Sequence, residues 1–260
     1  MRTFTKFIGA NCRYGQRKKG VELGAATLMK YTDRELEIEY INNFAEDGYL
    51  ELFKLHNKYV SDGFKPLTIG GDHSISLSTV ASSVHKYKED LTVVWVDAHA
   101  DIHTLASSCT KNLHGMPLGC LLGHDNIYNL PEIKPEQIVY IGLRDLDPYE
   151  SAIIEELGIE RYDMEYLKDN SLEDVLTNIY NKSGAIHLSF DIDVLDPKYI
   201  ACTGTPVEGG LTFNEGKKII NKLLPKIVSA DIVEFNPKLG NHDEVYRDAI
   251  LINKLISLLD

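Results

Sequence analysis

The chain has 260 residues, of which 43% are hydrophobic and 25% are charged, so it can bury the core of one large α/β domain or of two small ones. Its net charge of −12 disfavours a nucleic acid or an anionic membrane as a partner and is compatible with a small cationic substrate. With no signal-like leader, no membrane-length apolar run and no CxxC pair among four scattered cysteines, the sequence predicts a protein of the reducing cytoplasm.

Strand and helix patterns alternate along the whole chain. Short apolar runs predict about eight strands, at 6–10, 36–41, 66–69, 91–96, 137–142, 159–164, 185–190 and 227–235. Segments with helical spacing of apolar residues lie between them, at 21–31, 46–61, 74–87, 114–122, 147–157, 172–181, 213–224 and 244–259. This alternation predicts a three-layer α-β-α fold around a parallel sheet, in a single domain over residues 1–260.

Two loops and two helix starts carry further local signals. Residues 11–20 are basic and punctuated by glycine, but they lack GxxxxGK[ST] and GxGxxG, so we expect a loop over the sheet rather than a phosphate cradle. Residues 102–112 form a polar loop. Asp72 or Ser74 could cap the helix at 74–87, and Pro117 is allowed only in the first turn of the helix at 114–122.

The strand at 91–96 is apolar except for Thr92, which is typical of a strand buried on both faces of a parallel sheet. Asp97, His99 and Asp101 follow it at spacing i, i+2, i+4, so an extended chain would place all three side chains on one side. Ligands of open α/β sheets bind beyond the carboxyl ends of the strands. Two carboxylates and an imidazole that converge there would repel or stay hydrated without a cation, so a metal ion is the natural candidate.

Two other predicted strands end in the same residue types. His73 lies in GGDHS after the strand at 66–69, and Asp191 and Asp193 follow the strand at 185–190. Oxygen and imidazole ligands without thiolate suit manganese, iron, cobalt, nickel or zinc, and the histidines count against magnesium and calcium. Six ligands are too many for a catalytic zinc that keeps one position open. They suit two metals that share carboxylates at roughly 3.5–4 Å.

The motifs together resemble those of the ureohydrolase (arginase–agmatinase) family, and its arginase branch in particular. GGDHS, DAHAD, NLHG, SFDIDVLDP, CTGTP and EFNP occur in that family's order, and the resemblance extends from residues 16–24 to near the C-terminus. It implies an arginase-like α/β fold and two Mn²⁺ ions per chain, for which Co²⁺ or Ni²⁺ could substitute. It also implies hydrolysis of a guanidinium to urea by a metal-bridging hydroxide, and a homo-oligomer, either a trimer or a hexamer.

The resemblance also implies a role for each site residue. His73 and Asp101 would hold one ion, and His99 and Asp193 would hold the other. Asp97 and Asp191 would bridge the two ions. Asp101 would also orient the hydroxide. His114, in NLHG, would pass a proton to the leaving amine, and Glu234 would pair with the guanidinium. The charges agree, because two metals, four aspartates, a hydroxide and Glu234 leave a negative site that suits a guanidinium better than a phosphate.

Within the family, the resemblance favours L-arginine, cleaved to L-ornithine and urea, over agmatine. It implies that Asp147, with Glu150 nearby, reads the α-ammonium group. Thr110 and Asn112 would read the α-carboxylate. A site built to hydrogen-bond a substrate group strongly rejects analogues that lack it, because its own polar groups are then left unpaired.

Two more positions complete the predicted substrate site. His103 stands where arginases usually have asparagine, and an imidazole N–H can still donate to a carboxylate. Thr205, in CTGTP, is a further candidate contact.

Several alternatives stand beside this interpretation. Asp147 and Glu150 could be helix N-terminal charges that the helix dipole favours, and His114 could be a plain helix start. The enzyme could be an agmatinase or another ureohydrolase with a different guanidino or formimino substrate, or a non-catalytic binding subunit. A metallophosphatase is rejected, because GNHD at 240–243 lacks the GDxxD and GxHxH elements. The remaining histidines with no supporting motif are assigned to surface or core, namely His56, His85, His124 and His187.

Overall fold

A computed structural model describes residues 5–260 and contains one eight-stranded sheet in which every pairing is parallel. The strands are β1 (Thr5–Ala10), β2 (Ile38–Ile41), β3 (Lys65–Gly70), β4 (Leu91–Val96), β5 (Ile138–Ile141), β6 (Glu160–Tyr162), β7 (Ala185–Asp191) and β8 (Ile227–Val233). Their order across the sheet is β2-β1-β3-β8-β7-β4-β5-β6. The predicted fold class is confirmed. Residues 1–4 of the predicted single domain lie outside the described residues.

The helices that flank the sheet are α1 (Gly24–Lys30), α2 (Gly48–Ser61), α3 (Ser76–Tyr87), α4 (Pro117–Leu121), α5 (Pro148–Leu157), α6 (Met164–Asp169), α7 (Leu172–Lys182), α8 (Phe213–Leu223) and α9 (His242–Leu259). Pro117 is the first residue of α4, where its missing N–H costs nothing. Over residues 5–260, no helix is both long and apolar enough to span a bilayer.

Helix α6 was not predicted from the sequence, because the strand pattern was extended too far. The predicted strand extended to residue 164, whereas β6 ends at Tyr162 and α6 begins at Met164. Asp163 is the N-cap of α6, and its carboxylate accepts from the Tyr166 N–H at 2.8 Å. A strand of three residues followed directly by a capped helix leaves too little periodicity to separate the two.

The sheet separates two buried apolar clusters, and alternate residues of β4 point into each. Val94 and Val96 belong to the cluster that also includes residues of α1, α7, α8 and α9. Val93 and Trp95 belong to the cluster on the other face, with residues of α2, α3 and α4. Burial on both faces explains why the strand is apolar without alternation, and each such side chain contributes about 1.5–3 kcal/mol.

The strand order positions the functional site. Strands β3, β8, β7 and β4 are neighbours in that order, and all run in the same direction. Their carboxyl ends therefore lie along one edge of the sheet, where the segments that follow them meet.

Candidate metal centre and substrate cavity

The structure brings the six predicted metal ligands together at this edge. His73 follows β3. Asp97, His99 and Asp101 follow β4. Asp191 is the last residue of β7, and Asp193 lies just beyond it. Five of them are buried, and His99 is half-buried. The convergence that was expected from three separate strand ends is present in the fold.

The first cluster surrounds His73. Its Nδ1 atom lies 3.0 Å from a carboxylate oxygen of Asp97, 3.0 Å from one of Asp101 and 3.3 Å from one of Asp191. Among residues 5–260, this buried nitrogen has no hydrogen-bond partner. A buried imidazole nitrogen without a partner, facing three carboxylates, fits a position that a metal ion completes.

The second cluster surrounds His99 and shares a residue with the first. His99 Nδ1 lies 3.1 Å from Asp193 Oδ2 and 3.5 Å from Asp97 Oδ1. Asp97 therefore directs one oxygen to each cluster, whereas Asp191 directs Oδ2 to His73 and accepts the Asp193 N–H with Oδ1 at 2.8 Å. Thr205 Oγ1 donates to Asp193 Oδ2 at 3.2 Å.

Neighbouring side chains orient the first cluster. The ring of Trp95 stacks on His73, with centroids 4.1 Å apart and an angle of 11° between the planes, and its Nε1–H donates to Asp97 Oδ2 at 3.0 Å. His73 Nε2 lies 2.9 Å from Ser189 Oγ. Partners of this kind fix the ring orientation of metal-ligating histidines. None of them was assigned a site role from the sequence.

The charges of the cluster are unbalanced without a cation. Burial opposes charge on the two histidines, but the carboxylates beside them outweigh it and raise the pKa of both His73 and His99. Burial and repulsion by other carboxylates raise the pKa of Asp101 to about 6 and the pKa of Asp191 well above its usual range. The four aspartates therefore compete for positive charge, which divalent cations would supply. Carboxylate oxygen and imidazole nitrogen are suitable donors for them.

Two predicted site residues have strained backbones. Asp101 and Glu234 lie in the left-handed region, with φ of 52° and 70°. This conformation costs about 1–2 kcal/mol for a residue with a side chain. Such strain persists where the surroundings fix the conformation, and it clusters at functional sites.

Glu234 lies deep in the site and binds three protein groups. Its Oε2 accepts from Gln16 Nε2 at 2.7 Å, and its Oε1 accepts from the His73 N–H at 2.9 Å and lies 3.2 Å from His114 Nδ1. Burial opposes charge on both members of the His114–Glu234 pair, but each stabilises the charge of the other. The pKa of His114 is therefore raised to about 9, and that of Glu234 is lowered.

A cavity of about 330 Å³ opens above the ligand clusters. It is lined by His99, Asp101, His103, Ser108, Cys109, Thr110, His114, Gly115, Asp145, Asp147, Glu150, Asp191, Asp193 and Thr205. Among residues 5–260, the lining includes every predicted substrate residue except Asn112 and Glu234. Three lining residues were not predicted from the sequence: Ser108 and Cys109, which lie in the polar loop 102–112, and Asp145, which lies between the predicted strand 137–142 and the predicted helix 147–157.

His103, Asp147 and Glu150 form a third group of titratable side chains in the lining of the cavity. His103 Nε2 lies 3.1 Å from Asp147 Oδ2 and 3.9 Å from Glu150 Oε1, and its ring stacks on Tyr149. The other oxygen of Asp147 caps α5 by accepting the Glu150 N–H at 2.9 Å. Asp147 is thus a helix N-cap that also lines the cavity, and this position is compatible with both of the roles that were considered. Burial raises the pKa of Glu150 to about 7.

Two further segments form hydrogen bonds with the residues of the site. In the predicted loop 11–20, the Gly15 carbonyl accepts the His114 N–H at 3.0 Å and the Gly15 N–H donates to Asp72 at 2.8 Å. A β-carbon at Gly15 would lie 2.4 Å from Asp72 Oδ1, so only glycine fits. Arg144 donates to the carbonyl oxygens of Asp193 at 2.6 Å and Val207 at 2.8 Å, which fixes the segment that carries the second cluster.

Comparisons with known proteins agree with this geometry. A family model described as "Arginase family" matches residues 5–258. The chain is 33% identical to an arginase of Bacillus subtilis, over 96% of each sequence. It superimposes on the crystal structure of Entamoeba histolytica arginase in complex with L-ornithine with a TM-score of 0.89, at 31% identity and over 99% of each chain. The agmatine ureohydrolase of Thermoplasma volcanium has a TM-score of 0.82 at 22% identity, over 99% of this chain and 88% of that one, and shares the fold.

Proposed function

Because the chain belongs to the arginase family, we propose that it is a manganese-dependent hydrolase that cleaves L-arginine to L-ornithine and urea. One observation carries the proposal. Two ligand clusters that share Asp97 contribute residues to the lining of a cavity of about 330 Å³, which also contains the carboxylates of Asp147 and Glu150. Such a cavity suits a substrate with a cationic guanidinium at one end and an ammonium at the other.

The proposed ligands of the two ions are those that the clusters provide. His73 and Asp101 would hold one ion, and His99 and Asp193 the other. The bridging residues would be Asp97 and Asp191, of which Asp97 has the stronger geometric support, since its oxygens face different clusters. Two manganese ions, when bound, would lower the pKa of a water molecule and so supply the nucleophile at neutral pH.

His114 is the proposed proton donor to the leaving amine. It lines the cavity, and Glu234 raises its pKa to about 9 against the effect of burial, so its imidazole carries a proton at neutral pH. An acid close in pKa to the working pH is efficient in general acid catalysis. Asp101 lies on the same cavity wall, where it would orient the attacking water.

Glu234 would pair with the guanidinium through its negative charge, which its lowered pKa preserves. Both of its oxygens accept hydrogen bonds from the protein, and the contact with His114 is the one on the cavity side. The substrate would therefore have to share or replace that contact.

The outer contacts would decide between arginine and agmatine, which share the guanidinium and differ by the α-carboxylate. We assign the α-ammonium to Asp147 and Glu150. The α-carboxylate would bind Thr110, with Asn112, His103 and Thr205 as further candidates. Thr110, His103 and Thr205 line the cavity, which supports these roles.

One observation favours agmatine as the alternative substrate. The imidazole of His103, which would receive the α-carboxylate, lies 3.1 Å from the Asp147 carboxylate. An imidazole engaged in this way is less available to a second carboxylate. Agmatine has no α-carboxylate and would not need it.

The test is urea release from arginine, agmatine and 4-guanidinobutyrate with Mn²⁺ present. We expect the highest kcat/KM with arginine. Equal or faster turnover of agmatine would leave only the broader ureohydrolase function. If no guanidino substrate releases urea, the chain is a binding subunit of that fold.

We also propose that residues 1–260 form one domain of a cytoplasmic homo-oligomer. The four cysteines are free, and Cys109 is an exposed thiol at the cavity, which suits a reducing compartment. Sedimentation analysis of the manganese-loaded protein would give the number of subunits, and a monomer would contradict the proposal.

A further inference from the structure

A continuous line of buried polar groups leads from His73 into the core of the sheet. His73 Nε2 lies 2.9 Å from Ser189 Oγ, Ser189 Oγ lies 3.2 Å from Ser76 Oγ, and Ser76 Oγ lies 3.1 Å from Asp231 Oδ2. Ser76, Ser189 and Asp231 are 0% exposed. Burying hydroxyls and a carboxylate is costly compared with apolar side chains of similar size, so packing alone does not account for this line.

Asp231 is the acceptor at the end of the line. Its Oδ2 also accepts from Thr79 Oγ1 at 2.7 Å and lies 3.0 Å from His187 Nε2. Burial would raise the pKa of Asp231, but His187 and the hydrogen bonds outweigh it and lower the pKa, so the carboxyl group is ionised. An ionised carboxylate can accept hydrogen bonds but cannot donate one.

This end point fixes the direction of every hydrogen bond in the line. Ser76 must use its single proton to donate to Asp231, so it can only accept from Ser189. Ser189 then has no proton left for His73, and it must accept one from His73 Nε2. In this arrangement all three contacts are hydrogen bonds. Any other leaves two oxygens, or an oxygen and an imidazole nitrogen, facing each other without a proton.

We infer that Asp231, acting through Ser76 and Ser189, holds His73 in the tautomer that carries its proton on Nε2 and presents the Nδ1 lone pair to the metal. The three residues are positioning residues, since none of them faces the cavity among the lining residues described. The inference rests on the metal binding in the proposed function and is independent of the substrate.

The Nδ1 atom of His73, which has no hydrogen-bond partner among the described residues, is the proposed metal ligand, so metal binding depends on which tautomer is present. Imidazole binds a metal through an unprotonated nitrogen. In the other tautomer a proton on Nδ1 would point at the space between Asp97, Asp101 and Asp191, where the cation is expected. Buried partners of metal-ligating histidines typically change metal affinity by about 10–100-fold when they are removed.

The test compares three variants of the full-length protein that differ in one hydroxyl each. Ser76→Ala and Ser189→Ala interrupt the line between Asp231 and His73. Thr79→Val is the matched control, because it removes a 2.7 Å hydrogen bond to the same Asp231 oxygen but lies outside the line. Manganese affinity is measured by equilibrium dialysis, and fluorescence of Trp95 reports the ion beside His73, since this only tryptophan stacks on that ring.

We expect Ser76→Ala and Ser189→Ala to weaken binding of the ion beside His73 by roughly 10–100-fold, with the second ion less affected. Thr79→Val should stay within about twofold of the wild type, which is below that range. Wild-type affinity in Ser76→Ala would overturn the inference, even if Ser189→Ala were impaired, and so would an equal loss in Thr79→Val. A wild-type chain that binds no manganese would instead refute the proposed function.

Discussion

Asp147 offers a test in which two roles of one side chain can be separated. One carboxylate oxygen caps α5 at 2.9 Å from the Glu150 N–H, and the other faces the cavity, where the α-ammonium is proposed to bind. Asparagine caps helices about as well as aspartate but has no charge. Asp147→Asn should therefore weaken substrate binding alone, whereas Asp147→Ala should weaken both binding and stability.

The structure sets the size of both effects. A hydrogen bond to a charged group contributes about 1.5–3 kcal/mol, but the side chain of Asp147 is 49% exposed, so solvent screening reduces this to about 1–2 kcal/mol. That corresponds to a roughly 5- to 30-fold lower kcat/KM for arginine in both variants. Loss of the cap costs about 1 kcal/mol, which lowers the Tm of Asp147→Ala by about 2–4 °C.

The assay pairs arginine with 5-guanidinopentanoate, which is arginine without its α-ammonium group. Asp147→Asn should lower kcat/KM for arginine and leave that for 5-guanidinopentanoate nearly unchanged. The Tm of the manganese-loaded proteins measures how much the N-cap hydrogen bond of Asp147 contributes to stability. Equal losses with both substrates would refute the assignment of the ammonium to Asp147, and a Tm loss in Asp147→Asn as large as in Asp147→Ala would refute the capping argument.

Three further predictions concern metal, proton transfer and pH. Elemental analysis of Asp97→Ala should show the loss of both manganese equivalents, because the oxygens of Asp97 face both clusters. His73→Ala should lose chiefly one equivalent, and two full equivalents in Asp97→Ala would contradict the prediction. His114→Ala should lower kcat by roughly 10²–10⁴ with metal content intact, and an unchanged kcat would show that His114 only begins a turn. Burial lowers the pKa of His56 to about 3. Between pH 6.5 and 3, the unfolded chain therefore binds a proton that the folded metal-free chain does not. Because of this proton, the free energy of unfolding falls by about 1.4 kcal/mol for each unit by which the pH falls. In urea unfolding at pH 4–6, His56→Gln should reduce this slope, and an identical slope would contradict the linkage.

The sheet and the convergence of the predicted ligands at one edge were predictable because they depend on local rules. A strand buried on both faces is mostly apolar, as 91–96 is except for Thr92, and the carboxyl ends of parallel strands share an edge. Residues such as Asp97 and Asp191 that follow such strands therefore lie at the same edge of the sheet, and they approach one another because β4 and β7 are neighbours. The sequence predicted the shared edge but not which strands are neighbours.

The residues that support the ligands could not be predicted in the same way. Ser189 and Asp231 lie inside predicted strands, and Ser76 lies inside a predicted helix. A polar residue at such a position does not show, from the sequence, which other residue it contacts. Their contacts depend on β8 pairing with β7 and on α3 packing over both. That arrangement joins segments more than 100 residues apart in the sequence, and no periodicity encodes it. His56 and His187 were assigned to surface or core, and both are in the core.

The location of the site also explains how the fold tolerates its cost. Four buried aspartates and two left-handed residues, Asp101 and Glu234, oppose folding in the metal-free chain. All of them lie at the ends of β4, β7 and β8, three of the four central strands, which are packed on both faces by the two apolar clusters. Because these strands are held along their whole length, their ends have little freedom to relax the repulsion by moving apart. The same packing that gives the fold its stability therefore keeps the ligands close together before any cation binds, which reduces the reorganisation that binding requires.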